Sequence, residues 1–186
     1  NSVGGGKIVT HAGSIEDSYD IENGISNAKF FCEDFEDRAG KYGIELCLEN
    51  DAGSKKGTRV GNIKNIAEIV KDRQPGVVGT CFDTEHALAY GEDLCDWDYI
   101  EGVVNRSSIV HLNAIPSDVR PGSMIDKHSD VLIEHSGVWT GELLNVAQMA
   151  VDHDKWCIME KRGIDLVEND LEFLGRWVID GSRTRL

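Results

Sequence analysis

Five short apolar runs recur along this 186-residue chain, and each ends on or beside a histidine or a carboxylate. They occupy residues 7–11, 44–49, 76–82 with Asp83 next, 108–112 and 156–160. Each has the length of a buried strand and is bounded by Gly, Ser or charged residues. Between them the apolar residues return at helical spacing, as with Ile21, Ile25, Ala28 and the stretch from Phe31 to Phe35. Further helices are predicted near 63–71, 99–104, 142–151 and 166–178. Short apolar strands alternating with helices make a parallel sheet covered by helices, an α/β fold. No linker or low-complexity tract interrupts the pattern, so residues 1–186 read as one domain.

The strand ends carry the chemistry. His11, Glu49, Asp83, His111 and Glu160 each stand at or next to the carboxyl end of a predicted strand, where parallel α/β sheets and barrels build their active sites. Asp83 and His86, in Cys81-Phe82-Asp83-Thr84-Glu85-His86-Ala87, offer an oxygen and a nitrogen ligand where a strand turns into a helix. Asp126 and His128 form an Asp-x-His pair in the long fourth loop, with both side chains on one side of an extended segment. One histidine at a strand end is more often a hydrogen-bonded structural residue, and one carboxylate there often caps the next helix. Four imidazoles and four carboxylates aimed at one face are different, because repulsion and desolvation make them costly without cations. His135 and His153 lack this placement and are taken as surface residues.

With 40% apolar residues the chain can bury a core, and it holds neither a run long enough to span a membrane nor a basic-then-apolar leader. Cys47, Cys81 and Cys157 fall inside strand-like runs and no close cysteine pair occurs, so buried reduced thiols and an intracellular setting, in the cytoplasm or with DNA, are expected. The net charge of −14 argues against a protein that coats nucleic acid through a general excess of Lys and Arg. The chain starts at Asn1, not Met, so a processed product or a segment upstream of Asn1 is the expectation.

The segments His11-Ala12-Gly13-Ser14, Leu48-Glu49-Asn50-Asp51-Ala52-Gly53, Asp83-Thr84-Glu85-His86-Ala87-Leu88-Ala89-Tyr90-Gly91, His111-Leu112-Asn113, Asp126-Lys127-His128 and Met159-Glu160 occur in this order. Together they resemble the ordered motifs of the endonuclease IV family of apurinic/apyrimidinic endonucleases. The resemblance implies a TIM-type (β/α)8 barrel with a cluster of three zinc ions. It also implies cleavage of DNA on the 5′ side of an abasic site, in base excision repair. By motif, His11 would bind the first zinc, Glu49 would bridge the first and second, and Asp83, His111 and Glu160 would complete the second. His86, Asp126 and His128 would hold the third. Glu160 and Glu49 would be the catalytic carboxylates, Glu160 orienting or deprotonating the attacking water. Clustered zinc ions lower the pKa of water and stabilise charge on phosphate, although these ligands also suit manganese or iron.

Departures from the family pattern bear on substrate more than on metal. A full barrel has eight strand-helix units in roughly 250 residues, whereas five are found here, corresponding to the fourth to eighth. The first third would carry another histidine ligand and loops that penetrate the DNA; it would come from an upstream segment or a second chain, or have been lost. The loop after Glu49 is longer than usual, Ala114 stands where Asp commonly does, Lys161 replaces a small polar residue, and the segment after His128 diverges. Lys55, Lys56, Arg59, Arg120, Lys127, Lys161 and Arg162 fall in loops on the expected active face, whereas Glu33, Asp34, Glu36, Asp37, Glu168, Asp170 and Glu172 fall on helices. This charge placement suits a DNA substrate, and the resemblance implies abasic DNA as the partner. Two rivals remain: a sugar-isomerase-like barrel using Glu49, Asp83, His111 and Glu160 on one metal, and a non-catalytic split barrel that binds DNA or assembles with another chain.

Overall fold

Each apolar run becomes a strand, and each strand lies beside the one before it. In the computed structural model, which describes residues 5–13, 20–53, 60–116, 119–124 and 131–179, the strands are β1 (Gly6–His11), β2 (Ile44–Glu49), β3 (Val78–Asp83), β4 (Ile109–His111) and β5 (Trp156–Ile158). They form one sheet in the order β1-β2-β3-β4-β5, with every neighbouring pair parallel. The chain returns through α1 (Ile21–Ala39), α2 (Ile63–Val70), α3 (Thr84–Tyr90) with α4 (Trp97–Arg106), and α5 (Thr140–Asp152). It closes with α6 (Ile164–Leu174) and a π-helical turn over Gly175–Ile179. The architecture is the five-strand portion of a TIM-type barrel.

Local chemistry sets the helix starts. Asp20, Asn62, Asp83 and Asp96 each accept a hydrogen bond from the backbone N–H three residues on, satisfying a donor that the first turn leaves open. Gly91 ends α3 in the left-handed conformation at φ 110°, its N–H bonded to the carbonyls of Ala87 and Leu88.

Alternation along the strands separates two environments. Leu46, Leu48 and Val78 pack outward against Ala28, Cys32, Ile66 and Ile69 of α1 and α2. Phe82 and Val110 join a larger cluster with Leu88, Ile100, Leu143 and Val146. Burying each such side chain contributes on the order of 1.5–3 kcal/mol. On the opposite face Val9, Cys47, Cys81 and Ile109 form a small apolar layer. Towards the strand starts lies a polar one, in which Glu45 accepts from Lys7 and Ser108. The ligand-capable residues stand at the other end.

Several expectations change here. β3 starts at Val78 because Gly76 takes a left-handed turn at φ 79°. β5 is shorter than its apolar run, so Glu160 sits two residues beyond the strand. Cys157 is exposed, and Cys32 on α1 is a buried thiol instead. β5 is an edge strand among the described residues, and no strand covers its far side. Trp156 on β5 is exposed, as is Ile8 on β1, the edge strand at the other end of the described sheet. Burial pushes the thiols of Cys32 and Cys47 up to about 11, consistent with inert structural cysteines. Among the described residues no helix is long and apolar enough to cross a membrane.

Gly79 leaves the space in which the Glu45 carboxylate and Ser108 meet; a methyl group built on it would collide with Ser108 Oγ and Glu45 Oε1. Gly79→Ala should therefore lower the unfolding free energy by about 1–3 kcal/mol in a urea titration.

Candidate metal centre

The parallel register brings the strand ends level: His11 pairs with Glu49, Glu49 with Cys81, and Asp83 with His111. Glu49 is buried at the centre of the group. Its Oε1 lies 2.8 Å from His111 Nδ1 and 3.7 Å from His86 Nδ1, and its Oε2 lies 3.4 Å from His11 Nε2. One carboxylate thus faces three imidazoles. Burial opposes ionisation of Glu49, but the hydrogen bond from His111 and the charges of His111, His86 and His11 outweigh it, leaving the pKa below the ordinary carboxylate value.

His111 shows the converse. Its Nδ1 faces Glu49 at 2.8 Å, Glu160 Oε2 at 3.7 Å and Asp83 Oδ2 at 3.8 Å. Burial works against its protonation, yet the bond to Glu49 and the charges of Glu49, Glu160 and Asp83 raise its pKa above the usual imidazole value. Asp83 is fully buried, and chiefly for that reason its carboxyl is pushed upward. Three carboxylates around one imidazole nitrogen leave more negative charge than one imidazolium offsets. A divalent cation among these oxygen and nitrogen donors would relieve that excess, and the donor set suits zinc, manganese or iron.

Glu49 belongs to three donor sets, one of them with Cys81 and His111, and the other two offer only nitrogen and oxygen ligands. His11, Glu49 and His86 form one; Glu49, Asp83, His111 and Glu160 form the other; within each set the ligand atoms lie within 4.8 Å of one another. Glu85, which sequence reasoning passed over, is fully buried and groups with Asp83 and His86 by the same measure. Its place inside Asp-Thr-Glu-His was the available signal. Asp126 and His128 lie outside the described residues, as do Lys55, Lys56, Arg59 and Lys127.

Two asparagines and a threonine hold the ligand-capable side chains in place. Asn50 accepts the Asp83 N–H at 2.7 Å through Oδ1 and donates to the Asp83 carbonyl at 2.9 Å. The Asn50 carbonyl lies 2.8 Å from His86 Nδ1; a carbonyl can only accept, so Nδ1 carries the proton and Nε2 is the nitrogen that could ligate a metal. Asn113 donates to Asp83 Oδ2 at 2.6 Å and Glu160 Oε2 at 3.2 Å, and accepts the Glu160 N–H at 3.0 Å. Thr84 Oγ1 in turn bonds the Asn113 backbone at both its N–H and its carbonyl. His11, about half exposed, and Glu160, 41% exposed, form the open side of the group.

Among the described residues, the expected basic face is represented by Arg120, Lys161 and Arg162. Arg120 and Arg162 are exposed, but the Lys161 side chain is buried, with Nζ 3.2 Å from Asp170 Oδ2. Asp170, read from sequence as part of a solvated acidic helix, is buried with it. The reason is reach: α6 brings Asp170 beneath the turn after β5, so Lys161 folds inward instead of facing a phosphate.

Residues 1–175 match the sequence profile of the xylose isomerase-like TIM barrel family. A probable endonuclease 4 from Methanoculleus marisnigri is 37% identical over 108 residues, covering 52% of this chain and 36% of that protein. A probable endonuclease 4 from Mycobacterium bovis is 28% identical over 175 residues, covering 92% of this chain and 63% of that protein. The chain thus spans between about one third and two thirds of these two relatives. The crystal structure of a D-tagatose 3-epimerase-like protein matches with a TM-score of 0.63 at 20% identity, covering 94% of this chain and 62% of that one, a likeness of fold.

Asn113→Ala should weaken metal binding by about 10- to 100-fold, read by competition with a chromophoric chelator. Because protonated His111 competes with the ion and its pKa is raised, zinc affinity should climb with pH through and above the usual imidazole range and level off once His111 is neutral, with proton release on binding below that point.

Proposed function

From the chain's membership of the xylose isomerase-like TIM barrel family, which residues 1–175 establish, we propose that it carries the metal centre of a DNA-repair endonuclease. The bond it would hydrolyse is the phosphodiester 5′ to an abasic site. The observation that carries this reading is Glu49 standing between the two sets of nitrogen and oxygen donors. A single-metal isomerase site would need Glu49, Asp83, His111 and Glu160; it has no use for His11 and His86 on the other side of Glu49. Relatives named probable endonuclease 4 support the same reading.

When bound, the metal ions would supply Lewis-acid stabilisation of charge on the phosphate and make water acidic enough to attack near neutral pH. His11, Glu49 and His86 would hold ions on one side of the centre; Asp83, His111 and Glu160 share Glu49 on the other. Asp126 and His128 are proposed, on the sequence resemblance, to complete the His86 ion. Glu49 does its part as a carboxylate, which its three imidazole neighbours keep ionised. Glu160 is the exposed carboxylate at the mouth, restrained by Asn113, and takes the proton from the attacking water. Exposed Arg120 and Arg162 contribute positive charge for the DNA backbone, and zinc is the ion favoured for the cluster.

Five strands out of eight agree with the 63% and 62% coverage of the longer proteins. The remaining three units are proposed to come from an upstream segment or a second chain, which would pair with the open sides of β1 and β5. A sugar-isomerase reading stays second because its four-donor set is complete.

The test is incubation of the purified chain, alone and with any co-purifying partner, with an abasic duplex while bound metal is measured. Several equivalents of zinc with 5′ incision are expected. One metal with ketose interconversion would replace the endonuclease by the isomerase, and DNA binding without either activity would leave a non-catalytic split barrel. His86→Ala should lose bound metal and incision together. Glu160→Gln should slow incision by about 10²- to 10⁴-fold.

A further inference from the structure

The residue after Glu160 does something unusual for a lysine. The Lys161 side chain is 1% exposed; its ammonium donates to the Val131 carbonyl and lies 3.2 Å from Asp170 Oδ2, whose side chain is 0% exposed. Asp170 Oδ1 accepts the Ile133 N–H at 2.8 Å. One buried ion pair therefore joins three separate pieces of chain: the turn after β5, the segment from Val131 to Ile133, and α6. Burying two charges is a poor source of stability, because the desolvation penalty rivals the attraction. What such a pair supplies is direction, since its hydrogen bonds fix the groups that make them.

Glu160 is the neighbour with most need of that. β5 ends at Ile158, so Glu160 lies beyond the hydrogen-bonded ladder, at the open side of the site. Asn113 restrains it from the β4 side through its N–H and Oε2. Lys161 anchors the next residue from the α6 side.

We propose that Lys161 and Asp170 are positioning residues: their buried pair fixes the turn after β5 so that the Glu160 carboxylate converges with Asp83 and His111. This rests on the metal-centre reading above. It concerns no contact with substrate, since neither side chain reaches the mouth.

The double substitution Lys161→Met with Asp170→Asn removes both charges, keeps side-chain volume and leaves an oxygen to accept the Ile133 N–H, so metal-free protein should unfold near the wild-type temperature. Zinc affinity, measured by chelator competition, should nevertheless fall at least tenfold. In a Glu160→Gln background the same double substitution should cost no further affinity, because the effect runs through Glu160. Lys161→Gln with Asp170→Asn, which also removes both charges and keeps groups able to bond the Val131 carbonyl and the Ile133 N–H, provides the same comparison should the first pair fail to fold. The inference is overturned if the paired variants bind zinc as tightly as wild type, or if they lose as much affinity with Glu160→Gln as without it. Wild-type protein that binds no zinc would overturn the metal reading itself, an outcome visible before any variant is made.

Discussion

Glu49 and the three imidazoles around it are the constraint on which this end of the sheet depends. The carboxylate is buried, so its charge needs partners; His111, His86 and His11 approach it from three strand-helix units. Parallel register makes that possible, since neighbouring strands end level and their last inward side chains meet. An antiparallel sheet would alternate strand ends and scatter these groups to both edges. The apolar layer of Val9, Cys47, Cys81 and Ile109 separates these groups from the polar layer of Lys7, Glu45 and Ser108 at the strand starts.

Charges this close are stable only if their geometry is held from outside. Asn50 grips Asp83 through both backbone groups and fixes the His86 tautomer; Asn113 links Asp83 to Glu160. Asp83 serves twice, as a ligand-capable carboxylate and as the N-cap of α3, whose first turn carries His86. The local rule that starts a helix thereby sets the distance between two site residues. The pair Lys161–Asp170 extends the same logic below β5, where the strand itself is too short to fix Glu160.

The fold was legible because its signals are short-range. The run from Ile44 to Glu49 became β2 at its expected bounds, and the caps of α2 and α3 follow from Asn62 and Asp83. The convergence of His11, Glu49, Asp83, His86, His111 and Glu160 was also foreseeable, since residues at successive parallel strand ends must lie near one another. Lys161, Asp170 and Cys157 were misread for one reason. Burial of a charged or edge residue depends on what another element brings alongside, and α6 and the open edge at β5 are not written in the local pattern. Glu85 was missed because period and composition say nothing about which way a residue in the first turn of α3 points.

By itself the sequence determined the strand-helix alternation, the parallel sheet and the kind of side chain at each strand end. Hydrophobic period and turn chemistry act over a few residues and need no partner. Only the tertiary structure decided which nitrogen of His86 carries its proton, that Glu49 is shared between donor sets, and that Lys161 turns inward to Asp170. Those outcomes depend on distances of a few ångströms between groups far apart in the chain, and in a buried, weakly screening interior such distances decide which charges are held, paired or left for a cation.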